Sequence, residues 1–263
     1  MNKEQLQYAL SLEHSGQLQR AAQEYCALAE SSTDPSTQTS LLLSAKVCYE
    51  QLGDLAEAKK LLQRASALVP YGSEMAFFVE GETAELAASE GRHADALRQF
   101  DSLASQYRQY TEAEENRDYW ERLQLRRAFV LTDLRRPKEA LALLHKFLAM
   151  GREVRTVRYY LGVCHFQMGE DDYAEQEFKR VIEEAALDAL QFRSEYYLGL
   201  LAGRRGDARI ALNHLKTCAD NVRTCDLPVS DVYEAVAAVY DLLKDSRQAE
   251  RYRELAQSVR VKG

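Results

Sequence analysis

Apolar residues recur along this chain at helical spacing, in paired amphipathic runs separated by small or polar turns. The clearest pair lies between Tyr159 and Val181, where Tyr160, Leu161, Val163, Cys164 and Met168 mark a first helix. Gly169 ends it, because glycine takes the left-handed conformation that lets the last carbonyls be capped. Glu170, Asp171 and Asp172 then place acids at the start of a second helix, where capping and the macrodipole favour them. Ala174, Phe178 and Val181 share one face of that helix. Gly162 and Ala174 are small enough for the two helices to approach closely, and Phe178 fills the space beyond. A lone helical hairpin cannot bury both faces, so the pattern predicts neighbours of the same shape.

The same spacing recurs. One copy holds Tyr49, Gly53, Asp54, Ala58, Leu62, Ala65 and Pro70; another holds Leu198, Gly199, Gly206, Asp207, Ala211 and Leu215. Weaker copies carry Gly16, Ala21 and Tyr25; Gly91, Ala96 and Phe100; Ala128, Ala140 and Leu144; and Tyr240, Ala249 and Ala256. These residues resemble the tetratricopeptide repeat (TPR), a helix–turn–helix unit of about 34 residues. The resemblance covers nearly the whole chain and implies an all-α, right-handed superhelical solenoid of seven repeats.

Turn positions Gly16, Gly53 and Gly91 are 37 and 38 residues apart, and Gly169, Gly206 and Lys244 repeat that spacing. Between Gly91 and Arg135 the interval is 44. The excess falls around Tyr107 to Trp120, a stretch without glycine or proline, which predicts an extended helix with an acidic corner and Trp120 packed beneath it. The expected layout is repeats one to three over 1–110, the corner over 111–120, and repeats four to seven over 121–263. The first repeat is expected to begin at Asn2, Pro35 to break any helix through 31–37, and Pro137 to open the second helix of repeat four. A long loop, 220–230, leads into repeat seven, and the polar stretch from Ser246 to Val259 reads as a capping helix.

Composition narrows the function. A formal charge of −7 argues against general nucleic-acid binding. The charge is uneven: residues 121–160 carry ten Lys/Arg against four Asp/Glu. Five cysteines (Cys26, Cys48, Cys164, Cys218 and Cys225) form no CxxC pair and, being odd in number, no complete disulfide framework; most fall on apolar helix faces. No signal-like N-terminus or membrane-length apolar run is present, so the expected location is cytoplasmic. No phosphate loop, HExxH or GxSxG occurs, and the five histidines are scattered singly. No catalytic residue, metal site or cofactor is expected.

The resemblance further implies that the first helix of each repeat lines a concave groove that takes a peptide or helix. Its register places Leu6 and Leu10, Leu43 and Val47, Gly81 and Glu85, and Glu234 and Ala238 on that wall. The preferred site is repeats four to six: Leu125, Phe129, Tyr159, Val163, Phe166, Tyr196 and Leu200, flanked by Arg122, Arg126, Arg155 and Arg193. Aromatics ringed by arginine suit recognition of an acidic or amphipathic segment. The same spacing also serves core packing, a reading that stays open for Tyr159, Phe166 and Tyr196, and solvated arginines are the commoner kind. Family members that clamp acidic chaperone tails use a Lys–Asn pair on a groove helix; Leu6 with Leu10, Leu43 with Val47 and Leu125 with Phe129 stand at those places. The functional expectation is a non-enzymatic adaptor for another protein. The alternatives are a sensor that flexes at the Tyr107–Trp120 corner around a small effector, and a self-assembling scaffold.

Overall fold

The computed structural model describes residues 3–184, 186–225 and 227–260. Asn2, the expected start of the first repeat, lies outside them, as does Asp226 in the loop before the last hairpin. The described residues are all-α apart from turns and one 3-10 turn, and no helix is long and apolar enough to cross a membrane. Two compact units divide between Leu134 and Arg135. That division falls in the turn after the first helix of repeat four.

The first unit begins with three hairpins: α1 (Lys3–His14) with α2 (Leu18–Ser31), α3 (Pro35–Gln51) with α4 (Leu55–Leu68), and α5 (Glu74–Ser89) with α6 (His93–Gln106). A short helix α7 (Arg108–Thr111) and a 3-10 turn, Glu114–Asn116, lead to α8 (Arg117–Asp133). Within this unit α3, α5 and α8 pack side by side as one layer, while α4 and α6 pack between successive hairpins. The second unit holds α9 (Pro137–Ala149), α10 (Val154–Met168) with α11 (Asp171–Ile182), and α12 (Ala189–Arg204) with α13 (Ala208–Asp220). It ends with α14 (Val222–Cys225) and the hairpin of α15 (Val229–Leu242) with α16 (Ser246–Arg260).

Local chemistry sets these boundaries. Asp34 caps α3 by accepting from the Thr37 N–H at 2.8 Å, with Pro35 in the first turn where its missing N–H costs nothing. Pro137 opens α9 in the same way. All seven turn positions, from Gly16 to Lys244, adopt left-handed backbone with φ between 55° and 85°, and five of them are glycine. Glu170 does not cap α11 with its side chain; the carboxylate turns to His165 Nδ1 at 2.6 Å instead. Close approach within hairpins follows the small residues: a Cβ on Gly162 would lie 2.7 Å from the Phe178 ring, and one on Gly199 would lie 2.5 Å from Leu215 Cγ. Ala174, Phe178 and Val181 are fully buried.

The corner departs from the sequence expectation. In place of an extended helix, the chain turns twice between Tyr107 and Asn116. Tyr107 and Asn116 are both buried and both tied to α5: Tyr107 Oη donates to Glu80 at 2.6 Å, and Asn116 Nδ2 donates to Glu74 at 2.9 Å. Phe77 sits among Tyr107, Tyr110, Tyr119 and Trp120, with ring centroids 5.3 to 6.3 Å away. Packing four aromatic rings around Phe77 outweighs the helix propensity of the stretch, since each ring removes apolar area from water. Trp120 packs at this corner, as expected, and Glu112, Glu114 and Glu115 stay exposed.

Candidate partner-binding surface

In the first unit, α3, α5 and α8 line an open pocket of about 410 Å³. Leu43 and Val47 of α3, Met75 and Phe78 of α5, and the Tyr119 ring of α8 give it an apolar lining; Ser40, Ser44, Glu82 and Arg122 complete it. Leu43, Val47, Met75 and Phe78 are only partly buried, so they retain surface for contact. Apolar walls with a few fixed polar groups are the usual make-up of a recognition pocket.

A buried charge network fixes the polar end. Lys46 is 1% exposed, and its Nζ lies 2.6 Å from Glu82 and 2.7 Å from Glu50. Arg122 reaches across from α8, donating to Glu82 at 2.5 Å and to Glu85 at 2.7 Å. Its guanidinium also lies 5.0 Å from the centre of the Tyr119 ring. Arg126 Nε stands 3.6 Å from Glu85. Burial pushes the Glu82 carboxyl up, but Lys46 and Arg122 outweigh it and hold the group below the usual carboxylate range. For Glu85 burial wins, reinforced by Glu82, and the carboxyl is raised despite Arg122 and Arg126. Burial likewise pushes the Tyr119 phenol up; its hydroxyl donates to the Phe78 carbonyl at 2.9 Å.

Lys46 stands seven residues before its turn glycine, Gly53. At that place the other turns are preceded by Ala9, Ala84, Ala128, Gly162, Gly199 and Ala237, all buried. A buried lysine where packing asks for a methyl group is sustained here by two carboxylates. The break with the repeat pattern lies beside the pocket.

The groove residues expected from sequence divide between the units. In the first, Leu125 and Phe129 are buried in helix packing, and Arg126 is half exposed and faces Glu85. In the second, Tyr159 and Val163 are buried with Phe178, Leu198 and Leu201. Tyr159 lies within 6.2 Å of Tyr160, Phe178 and Tyr197, so its ring serves the core and not an open wall. Phe166, Tyr196 and Leu200 keep partial exposure. Arg204 lies over the Phe166 ring at 3.8 Å, and burial pushes the Tyr196 phenol up to about 12. Arg155 is held by Asp188 and the Val181 carbonyl, and Arg193 donates to the Cys225 carbonyl at 2.8 Å. The arginines expected to recruit an acidic partner are thus engaged within the chain.

Of the residues assigned to the groove wall from sequence, Leu43 and Val47 line this pocket and Glu85 lies beside it, while Lys46, Met75, Phe78, Glu82 and Tyr119 were missed as a group. The available signal was Lys46 itself, a charge in the small-residue column. Among the described residues no cluster of three or more His, Cys, Asp or Glu is arranged to hold a metal ion. His165 and His214 are instead each paired with one carboxylate, Glu170 and Glu195.

Family models of the tetratricopeptide repeat match residues 125–189 and 39–70. The chain is a tetratricopeptide-repeat protein. Among solved structures it is similar to a tetratricopeptide repeat protein from Parabacteroides merdae, with a TM-score of 0.64 at 17% identity over 98% of this chain and 92% of that one. It is also similar to PilW, described as a widely conserved type IV pilus biogenesis factor, with a TM-score of 0.60 at 17% identity over 84% and 92%. A third likeness is to a chain of the APC/C hetero-tetramer Cut9–Hcn1, with a TM-score of 0.64 at 12% identity. That match covers 93% of this chain but 43% of the other. No curated protein sequence matches the chain. At these identities the likeness is one of fold.

Proposed function

We propose that the protein is a non-enzymatic scaffold that holds an amphipathic helix or peptide of another protein, anchored in the pocket between α3, α5 and α8. The observation that carries this reading is the pocket itself: an open, largely apolar pocket of about 410 Å³ with the Lys46–Glu82–Arg122 ion pairs at its polar end. A single large apolar side chain of the partner fits such a site, and buried anchors of that kind supply most of an interface's binding energy. Because Arg122 is already answered by Glu82 and Glu85, the ligand's key group is apolar and not acidic. The fold is shared with PilW, a type IV pilus biogenesis factor, and with a chain of the Cut9–Hcn1 hetero-tetramer, which accords with a scaffold. The bonds of Tyr107 and Asn116 to α5 favour this reading over a sensor hinged at the corner.

The test compares the wild-type chain with Val47→Glu/Met75→Glu and with Phe166→Ala/Tyr196→Ala as baits in soluble lysate. Circular dichroism checks the fold of each. The proposal expects a partner lost only by the first variant, with backbone hydrogen exchange in α3, α5 and α8 slowed by the recovered partner. Retention by a folded Val47→Glu/Met75→Glu variant overturns the assignment of this pocket.

A further inference from the structure

Cys218 lies in the last turn of α13 and Cys225 ends α14, seven residues on. The chain turns at Asn221, whose Nδ2 donates to the Thr217 carbonyl at 2.9 Å, and a single turn of helix brings Cys225 back over α13. Both cysteines are fully buried in one apolar cluster with Phe192, Leu215 and Val232. The Cys225 thiol is near enough to bear electrostatically on Cys218, and Cys225 Sγ donates to the Val222 carbonyl at 3.2 Å. Arg193 of α12 fixes the segment from the other side through the Cys225 carbonyl. All five cysteines are free thiols, so this juxtaposition is not yet a bond.

We propose that Cys218 and Cys225 are a disulfide-forming pair, a modification site for a small disulfide oxidant such as oxidised glutathione. Its closure ties α13 to the segment that leads into α15. In the first step one cysteine, as thiolate, attacks a sulfur of oxidised glutathione and forms a mixed disulfide; the released glutathione thiolate takes up the proton that cysteine lost. The second cysteine, deprotonated in turn, attacks the protein sulfur of that mixed disulfide and expels the other glutathione. Two electrons and two protons pass to glutathione, and one S–S bond joins the two chain positions. Burial raises the Cys218 thiol, with Cys225 adding to the effect, so Cys218 is a poor nucleophile while it stays buried. Reaction therefore waits for α14 to lift, a local opening of one helical turn. The inference is independent of the pocket between α3, α5 and α8.

The test incubates the intact chain with oxidised glutathione at neutral pH, blocks remaining thiols with an alkylating agent, and maps peptides by mass spectrometry. The expected result is a Cys218–Cys225 crosslinked peptide, an intact mass lower by about 2 Da before alkylation, and two fewer alkylated cysteines. The oxidised chain is expected to melt several degrees higher, because the link shortens the unfolded loop. Cys225→Ser is expected to halt at a glutathione adduct on Cys218. The mapping on the unmutated chain decides the matter even if that variant folds poorly. Absence of the 218–225 crosslink overturns the proposal, whether all thiols remain, only half-buried Cys26 carries glutathione, or two chains become joined.

Discussion

Tyr119 Oη occupies the space that a side chain on Gly81 would need: a Cβ built there lies 2.2 Å from the hydroxyl and 2.9 Å from Leu123 Cδ1. The absence of a side chain at one residue of α5 therefore lets the phenol of α8 reach the Phe78 carbonyl and wall the pocket. Gly81→Ala is expected to cost about 1–3 kcal/mol by forcing Tyr119 off its acceptor. Tyr119→Phe, which removes the clashing oxygen, is expected to cost about 1 kcal/mol alone and less than that in the Gly81→Ala background. Urea denaturation of the four proteins of this cycle measures the coupling. Additive costs would show that the two positions do not meet.

The buried charges should respond to substitution with opposite signs. Glu82→Gln removes the charge that answers both Lys46 and Arg122 and leaves one oxygen for two donors, so a loss of about 2–3 kcal/mol is expected. Glu85→Gln keeps an acceptor for Arg122 while removing a charge that burial and Glu82 both oppose. It is expected to be neutral or stabilising at pH 7.

The pH dependence follows from the same shifts. Glu82 is held low in the folded state, so its contribution is present above the ordinary carboxylate range and is lost as pH falls through the depressed value. Glu85 is raised, so its ionisation works against the fold at neutral pH, and that penalty disappears as pH falls through the raised value. The stability difference between Glu85→Gln and wild type is therefore expected to be largest near pH 7 and to shrink toward pH 4. Denaturation midpoints across that range read it directly. A difference that grows on acidification would contradict the assignment.

Arg135 and Lys244 hold left-handed backbone where five other turns have glycine, with φ of 55° and 60°. A side chain there costs roughly 1–2 kcal/mol, partly offset by the entropy that glycine loses on folding. Arg135→Gly and Lys244→Gly are each expected to raise stability by up to about 1 kcal/mol. Thermal melting of the single variants and their pair checks it, and the gains should add because the sites are remote in sequence and share no hydrogen bond.

Much of the fold was legible because close packing within each hairpin leaves a periodic imprint. Gly162, Ala174 and Phe178 could be read as a close approach, and the left-handed turns followed from glycine spacing. Arg135 and Lys244 were located by register alone, with no help from residue type. The Tyr107–Asn116 corner was misread because its shape depends on contacts with Glu80 and Glu74, 27 and 42 positions before their partners, which local propensity does not register. The groove residues were the least legible. On a helix a one-residue step is a rotation of about 100°, and partly exposed Phe166 differs from buried Val163 only by where neighbouring helices sit. Tyr119 was invisible as a site residue, since its role exists only through Gly81.

Repeat proteins are often regarded as strings of interchangeable parts, each hairpin replaceable by an idealised copy. Here the second hairpin cannot be exchanged on its own. A standard unit grafted in place of 35–70 would bring a small residue to position 46 and leave Glu82, on the next hairpin, buried without its ammonium partner. Lys46 thus makes hairpins two and three a single heritable block, to be transplanted, shuffled or redesigned together or not at all.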